Sequence, residues 1–534
     1  MGQIIRKAAA QDAAGWLELL KQTLGSDPLA EQVYDLSRAG DQLIGPQVEE
    51  TWLVEVDGKL RGSISLLASS VPNSNPVANL ARHLVLPENY RDGSAEALIR
   101  GINEVCIQRK QMAVLRVPAA DHDQQQLLEK LGYACVGFQP LKHLCMVREA
   151  ALFYVRIGTP DPAVRLPLSQ SLPQITELAS LVLENLLIPN PEIVRDGLTG
   201  YPLQTDLLIE EYAPADYDAC KLQAELSHPP VEISGYYNRG LGVLRVDTGT
   251  PLLALMGQRD GVLVGGLTCY FDDHDKCMRI VDGFATDDLS TGALLQRAAQ
   301  LAQERFNAVY VEVDILIDAR RALKSAEQLG FVPVAYLPGF YNRNGCCVDL
   351  VKMVKLNAVY SLDNVNLTPP ARAIVEIIDR NFQDQKVGVA VIQLLRGLPI
   401  FGGLGDGELG KMARLFTQKL YRPGEKVFSK GDSSNEAYIV MRGQIDICLD
   451  ENARPVASIN SGAITGEQAF LDGAPRTAIG IAAQPSILLV IQRPAFNALV
   501  HSEPHLGMVV MRNIAVEVSN KLRKANAALG MAQK

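Results

Sequence analysis

Two short stretches of this chain combine residue types suited to holding oxygen anions. The first is Gly466-Glu467-Gln468-Ala469, followed by Pro475-Arg476-Thr477-Ala478, with the arginine nine residues after the glutamate. A guanidinium meets a compact oxyanion with a fixed fork of N–H donors, and such charge-assisted bonds outweigh neutral ones. Gly466 lets the backbone close on a ligand, and the helical turn opened by Glu467 would point N–H groups, Ala469's among them, at the same anion. The second stretch is Arg91-Asp92-Gly93-Ser94-Ala95, just ahead of Ala97-Leu98-Ile99. Small residues opening a helix permit close approach of a phosphate or pyrophosphate to the helix N–H groups.

The elements that must position the second stretch occur twice. Residues 4–20 and 208–224 each read as a strand, an Asp (Asp12, Asp216) and an amphipathic helix. Residues 52–62 and 253–265 each read as two strands around an Asp-Gly turn, a strong hairpin signal. Ala97-Leu98-Ile99 corresponds to Ala293-Leu294-Leu295, and Leu131-Gly132-Tyr133 to Leu329-Gly330-Phe331. The four matches keep their order at offsets of 196–204 residues, which predicts two copies of one α/β domain over 1–150 and 205–357. Gly132 and Gly330 are predicted at C′, where a helix ends in the left-handed conformation.

This layout, with "LGY" or "LGF" ahead of the last strands, resembles the GNAT (GCN5-related N-acetyltransferase) superfamily. The resemblance implies a thioester cofactor, acetyl-CoA, with its pyrophosphate at the glycine-rich turn, and direct attack of an amine on the thioester. In copy one the candidate CoA-binding residues are Arg91, Asp92, Gly93, Ser94 and Ala95, although Tyr90 stands where the family has Arg or Gln. In copy two the glycine positions hold Leu289 and Thr291, and Asp287 and Asp288 would repel a pyrophosphate. The family's tyrosine acid, four residues before the helix-ending glycine, is replaced by Leu128 and Ala326. Tyr90, Tyr133, Cys106 or an acidic residue would have to act instead, and spacing selects none, so the catalytic residues are unknown.

Between the copies, 151–204 carries Pro160, Pro162, Pro167, Pro173, Pro189 and Pro191 around an apolar helix at 175–187. It is expected to pack against one of the repeats. Residues 358–396 read as a helical connector, its helix 369–396 starting at a proline pair with Ile374, Ile377, Ile378 and Phe382 at helical spacing.

From 397 to 534 the pattern becomes short strands punctuated by glycine, as in an antiparallel β-roll. Pro423-Gly424-Glu425, Gly431-Asp432, Tyr438-x-Val440-x-x-Gly443-x-Ile445 and the two clusters around Glu467 and Arg476 closely resemble the cyclic-nucleotide-binding domain of catabolite activator proteins and kinase regulatory subunits. The resemblance implies a β-roll (double-stranded β-helix) whose Arg476 takes the cyclic phosphate and whose Glu467 accepts the ribose 2′-hydroxyl. Thr477 would reach a phosphate oxygen or the base, and Gly466, Gln468, Ala469 and Ala478 complete the cassette. A Thr after the Arg leaves cAMP and cGMP both open, with the generality of cAMP in bacteria favouring cAMP. The alternative is a Glu467–Arg476 ion pair in an empty barrel. Residues 494–528, with Val509, Val510, Ile514, Val518 and Leu522 as an apolar stripe, correspond to the family's lid helix. No DNA-binding domain is expected after it.

Composition bounds the rest. Of 534 residues 47% are hydrophobic and 21% charged, enough to bury several cores and too apolar for a disordered chain. A net charge of −9 argues against a chain-wide nucleic-acid or anionic-membrane surface. Nine cysteines without a C-x-x-C argue against a zinc site or disulfide framework, so no metal is expected. With no signal core and no apolar run near 20 residues, a cytoplasmic protein that engages no membrane is expected. Two functions fit: a cAMP or cGMP sensor controlling an attached acetyltransferase with a protein or small-amine acceptor, or a non-enzymatic sensor using inactive GNAT-like domains for partner binding, including self-assembly into a homo-oligomer.

Overall fold

Apolar residues in the first 360 positions build strands, fifteen of which form one continuous sheet, while Gln170–Ser171 and Val194–Arg195 pair as a separate two-stranded parallel sheet. The computed structural model describes residues 3–532 apart from 25–35, 47, 68–76, 145–147, 158–164, 166–169, 190–193, 196–197, 204, 228–232, 235–252, 274, 344, 359, 405, 414 and 451–452. Cys145, Pro160, Pro162, Pro167, Pro191 and the side chain of Leu522 therefore lie outside the described residues. The chain divides into two units, 1–382 and 383–534.

The strands of the large sheet in the first unit are β1 (Gln3–Lys7), β2 (Val48–Val56), β3 (Lys59–Leu67), β4 (Val77–Val85), β5 (Met112–Pro118), β6 (Ala134–Leu144) and β7 (Arg148–Arg156). They continue with β8 (Leu208–Tyr212), β9 (Ile233–Ser234), β10 (Leu253–Arg259), β11 (Val262–Asp272), β12 (Cys277–Ala285), β13 (Tyr310–Leu316), β14 (Val332–Arg343) and β15 (Cys346–Leu356). The spatial order is β1-β2-β3-β4-β5-β7-β6-β14-β15-β13-β9-β12-β11-β10-β8. Read inward from either edge, the two halves have the same order, apart from β9. In each half one neighbouring pair is parallel, β4 with β5 and β12 with β13.

The local chemistry also repeats. Asp57-Gly58 and Asp260-Gly261 close the β2–β3 and β10–β11 hairpins with positive φ at both residues, the twist a two-residue hairpin requires. Helices α1 (Ala13–Leu24), α2 (Leu36–Ile44), α3 (Ser94–Gln108) and α4 (His122–Lys130) belong to the first half. Helices α6 (Pro214–Ser227), α7 (Ser290–Glu304) and α8 (Arg320–Gln328) belong to the second, after α5 (Pro173–Asn185). Gly132 and Gly330, at φ +83° and +96°, follow α4 and α8. Leu128 and Ala326, four residues before these glycines, are wholly buried in the core.

The halves meet where β6 lies against β14, at the pair Gly137–Ala335. A Cβ on Gly137 would lie 2.3 Å from the Ala335 Cβ and 2.5 Å from the Val334 carbonyl oxygen, so only glycine allows this approach. Beside it Lys142 from the first half bonds Glu312 from the second at 2.7 Å, and the Gln139 amide donates to Glu312 at 3.0 Å and to the Tyr310 hydroxyl at 2.7 Å. Burial alone would raise the Glu312 carboxyl, but Arg279, Lys142 and Lys352 hold it well below the usual carboxylate range. Helix α5 runs against both β6 and β14, burying Ile175, Leu178, Ala179, Val182 and Leu183 in the shared core.

Helix α9 (Pro369–Arg396) spans the division between units. Ala371, Ile374, Ile378 and Phe382 are in the first unit's core and Leu395 is in the second's. The second unit adds α10 (Asp406–Ala413) and two four-stranded sheets. One runs β16 (Phe416–Tyr421), β23 (Ser486–Gln492), β18 (Glu436–Arg442), β21 (Ile464–Thr465). The other runs β17 (Lys426–Phe428), β22 (Ile479–Ala482), β19 (Gln444–Cys448), β20 (Ala457–Asn460). A short helix α11 (Glu467–Asp472) lies between β21 and β22, and α12 (Arg493–Ser502) and α13 (Pro504–Ala532) follow the roll. Of the predicted stripe on α13, Val510 and Ile514 are in the core and Val518 packs against it, joined by Leu506. Among the described residues no helix is long and apolar enough to cross a membrane, and no group of side chains could hold a metal ion.

Candidate functional site

The site in the second unit is built from the turn between β21 and α11. Gly466 caps α11 at φ +76°, a conformation glycine takes without strain. A Cβ there would lie 2.5 Å from Arg476 Nη1 and 3.2 Å from the Tyr438 ring, so the glycine also makes room for the arginine. Arg476 is 5% exposed, yet its guanidinium is held only by neutral groups. Its Nη1 donates to the Gly466 carbonyl at 2.9 Å, Nε to Ser434 Oγ at 3.0 Å, and Nη2 to the Glu436 carbonyl at 2.5 Å. The cation lies over the rings of Phe428 and Tyr438, 4.8 and 5.5 Å from their centroids. The backbone on either side is pinned by Arg476 N–H to the Asp432 carbonyl and Gly431 N–H to the Arg476 carbonyl. Among the described residues no carboxylate pairs with Arg476.

Glu467 does not meet Arg476 either. Its carboxylate, 7% exposed, pairs instead with Lys521 of α13 at 2.7 Å, and the same ammonium donates to the Ile464 carbonyl at 3.0 Å. The Glu467–Arg476 ion pair weighed from the sequence is therefore not formed. Ala469 is buried, Gln468 and Thr477 are exposed, and Ala478 is half-buried. Sequence reading missed Ser434, Phe428 and Lys521. Ser434 lies in the loop before β18, 42 residues from Arg476, Phe428 lies on β17, and Lys521 lies on α13, 54 residues from Glu467, so no local pattern announces them.

The stretch 91–95 in the first unit also forms a helix start. Gly93 is the N-cap of α3 at φ +84°, Ser94 and Ala95 are buried, and Arg91 and Asp92 are exposed. The Ser94 N–H is already taken by Asp92 Oδ1 at 2.8 Å. In the second half the equivalent start is sealed more fully. Asp287 Oδ1 accepts from the N–H groups of Leu289 (3.0 Å) and Ser290 (2.9 Å) and from Ser290 Oγ (2.7 Å), while its other oxygen pairs with Arg259. Of the alternative acids, Cys106 and Tyr133 are core residues. Burial pushes the Cys106 thiol up to about 11, and the Tyr133 hydroxyl donates to Asn103 Oδ1 at 2.5 Å. Tyr90 instead lies at the sheet end, 3.4 Å from Asp121 Oδ2, with burial holding its phenol proton on.

The second unit is thus a β-roll in which a buried arginine, with no carboxylate partner among the described residues, lies beside a left-handed glycine. Residues 418–503 match the family model described as the cyclic nucleotide-binding domain, and the second unit carries such a domain. The chain is 29% identical over 140 residues to the cyclic AMP receptor protein of Thermus thermophilus, a match covering 26% of this chain and 63% of that protein. It is 24% identical over 156 residues to the cGMP-dependent protein kinase egl-4 of Caenorhabditis briggsae, covering 28% of this chain and 21% of the kinase. Among solved structures, a cyclic nucleotide-binding domain from Methylobacillus flagellatus aligns at TM-score 0.26 and 20% identity, over 28% of this chain and 85% of that one. The chain thus spans less than two thirds of these curated relatives.

Proposed function

We propose that the second unit binds cAMP or cGMP and that this binding regulates an acetyl-CoA-dependent N-acetyltransferase of GNAT type in the first unit. The observation that carries the sensor is Arg476. Among the described residues this buried guanidinium faces carbonyl, hydroxyl and aromatic partners, and a cyclic phosphate is the compact anion that would balance its charge. Glu467 lies one residue from Gly466 and would accept the ribose 2′-hydroxyl. The matches to proteins named as cyclic AMP receptor and cGMP-dependent kinase support the ligand class. Arg476→Ala is expected to weaken nucleotide binding at least 100-fold in calorimetry while the far-ultraviolet circular dichroism stays native. Wild-type affinity in that variant would overturn the assignment.

The repeated strand order, with its single parallel pair in each half, supports two GNAT-like domains at about 1–150 and 205–357. Only the first is proposed to act on acetyl-CoA, because Asp287 closes the helix start of the second. A second reading, a non-enzymatic sensor with both GNAT-like halves inactive, is favoured by Asp92 holding the Ser94 N–H. Titration of the full chain with acetyl-CoA separates the two: binding supports the enzyme, and heat-silent, shift-free titrations support the scaffold.

A further inference from the structure

Each half of the large sheet parts at its parallel pair, and the two gaps are filled differently. In the second half β12 pairs with β13 over Cys277–Ile280, and β9 then enters between them, with Ile233 opposite both Gly283 and Ile315. In the first half β4 pairs with β5 over Val77–Leu80, and among the described residues no strand follows into the gap. By this register the counterpart of Gly283 is His83 (Val77 opposite Met112 corresponds to Cys277 opposite Tyr310).

His83 follows a kink at Arg82, φ +52°, where the β3–β4 register shifts. By register it stands at the edge of the gap, at the position that pairs with the inserted strand in the other half, and its side chain meets Gln124 of α4. There the Gln124 side-chain amide donates to Nδ1 at 2.5 Å, and the Tyr90 ring stands edge-on at 6.3 Å. With Nδ1 accepting, the ring proton belongs on Nε2. That Nε2 is buried and has no hydrogen-bond partner among the described residues. Desolvation holds the imidazole down at about 4, so the ring is neutral at physiological pH. A buried N–H donor with no acceptor among the described residues, held by a second side chain beside a gap in a sheet, is the arrangement a carbonyl oxygen would complete.

We infer that His83 Nε2–H is the hydrogen-bond donor to the thioester carbonyl oxygen in the first half, and that Gln124 is its positioning residue. This rests on the acetyl-transfer reading above. The nitrogen lone pair of a primary amine forms the new C–N bond while the carbonyl π pair moves onto oxygen, where the His83 N–H meets the growing negative charge. The C=O bond then re-forms, the C–S bond breaks with its electron pair leaving on sulfur as thiolate, and the amine proton passes to water.

The test uses the full chain with acetyl-CoA and a panel of primary amines, namely free lysine, spermidine and a lysine-containing peptide. His83→Ala is expected to lower kcat about 100-fold, with the KM for acetyl-CoA within about threefold, and His83→Gln, which keeps an N–H donor, to recover about tenfold. The ratio of wild-type to His83→Ala rates should stay constant from pH 5.5 to 8.5. A ratio that titrates in that range would make His83 a proton acceptor and overturn the donor role. Nitrogen-15 spectra should show the Nε2–H tautomer, and Gln124→Leu should lose that signature together with about tenfold in kcat, which also covers the case of a His83 variant that does not fold. Transfer that survives His83→Ala unchanged overturns this inference alone, as does acetyl-CoA binding without transfer to any amine. Failure of the wild-type chain to bind acetyl-CoA overturns the acetyl-transfer reading itself.

Discussion

Arg476 and His83 are both buried polar groups, and among the described residues the first has no carboxylate partner and the second leaves Nε2 without an acceptor. Arg476 remains a cation with neutral partners, so its demand is for an anion. His83 is neutral because burial disfavours its charged form. That depression has a stability consequence. Between the ordinary histidine value of about 6.5 and about 4, the unfolded chain takes up a proton at this position that the folded chain refuses. The stabilisation is complete above about 6.5 and is lost as pH falls toward 4. His143 acts in the same direction, its burial outweighing the hydrogen bond to Asp275. Both tryptophans, Trp16 and Trp52, belong to the first unit, so their fluorescence reports its unfolding. Urea midpoints followed this way are expected to fall from pH 7 to pH 5, and less steeply in His83→Gln. A midpoint independent of pH in that window would contradict the buried neutral ring.

Elements set what these residues can reach. Helix α13 delivers Lys521 to Glu467, the carboxylate proposed above to take the ribose hydroxyl. A nucleotide bound through Glu467 would share or break that pair, at a cost comparable to a partly buried ion pair. Lys521→Met is therefore expected to tighten nucleotide binding about three- to tenfold, read by calorimetry, and weaker binding would show that Lys521 assists the ligand instead. In the first unit the β6–β14 seam depends on Gly137. Gly137→Val places methyl groups against Ala335 and the Val334 carbonyl, and overpacking of this kind costs about 1–3 kcal/mol or more. The fluorescence-detected urea midpoint should drop accordingly, and an unchanged midpoint would mean that the seam opens without loss.

At the scale of the molecule, regulation requires that occupancy of one unit alter the free energy of the other, and such coupling is reciprocal. Saturating acetyl-CoA is expected to change nucleotide affinity at least about fivefold, and nucleotide to change acetyl-CoA affinity by the same factor. Equal affinities with and without the second ligand would leave two independent binding proteins on one chain. Much of this architecture is legible in the sequence because it is local. The Asp-Gly hairpins, the glycines after α4 and α8, helix 369–396 and the Gly466–Arg476 cassette all depend on backbone preferences and short spacings, which neighbouring residues alone dictate. What depends on residues distant in the chain was decided only by folding. The two repeats share one sheet and one core because Gly137 lets β6 approach β14, and α5 covers that seam rather than a single repeat. Glu467 pairs with Lys521 rather than Arg476, and β9 fills one gap while His83 stands at the other. Each of these contacts joins segments tens to hundreds of residues apart, and close packing in three dimensions selects among partners that a linear pattern leaves equivalent.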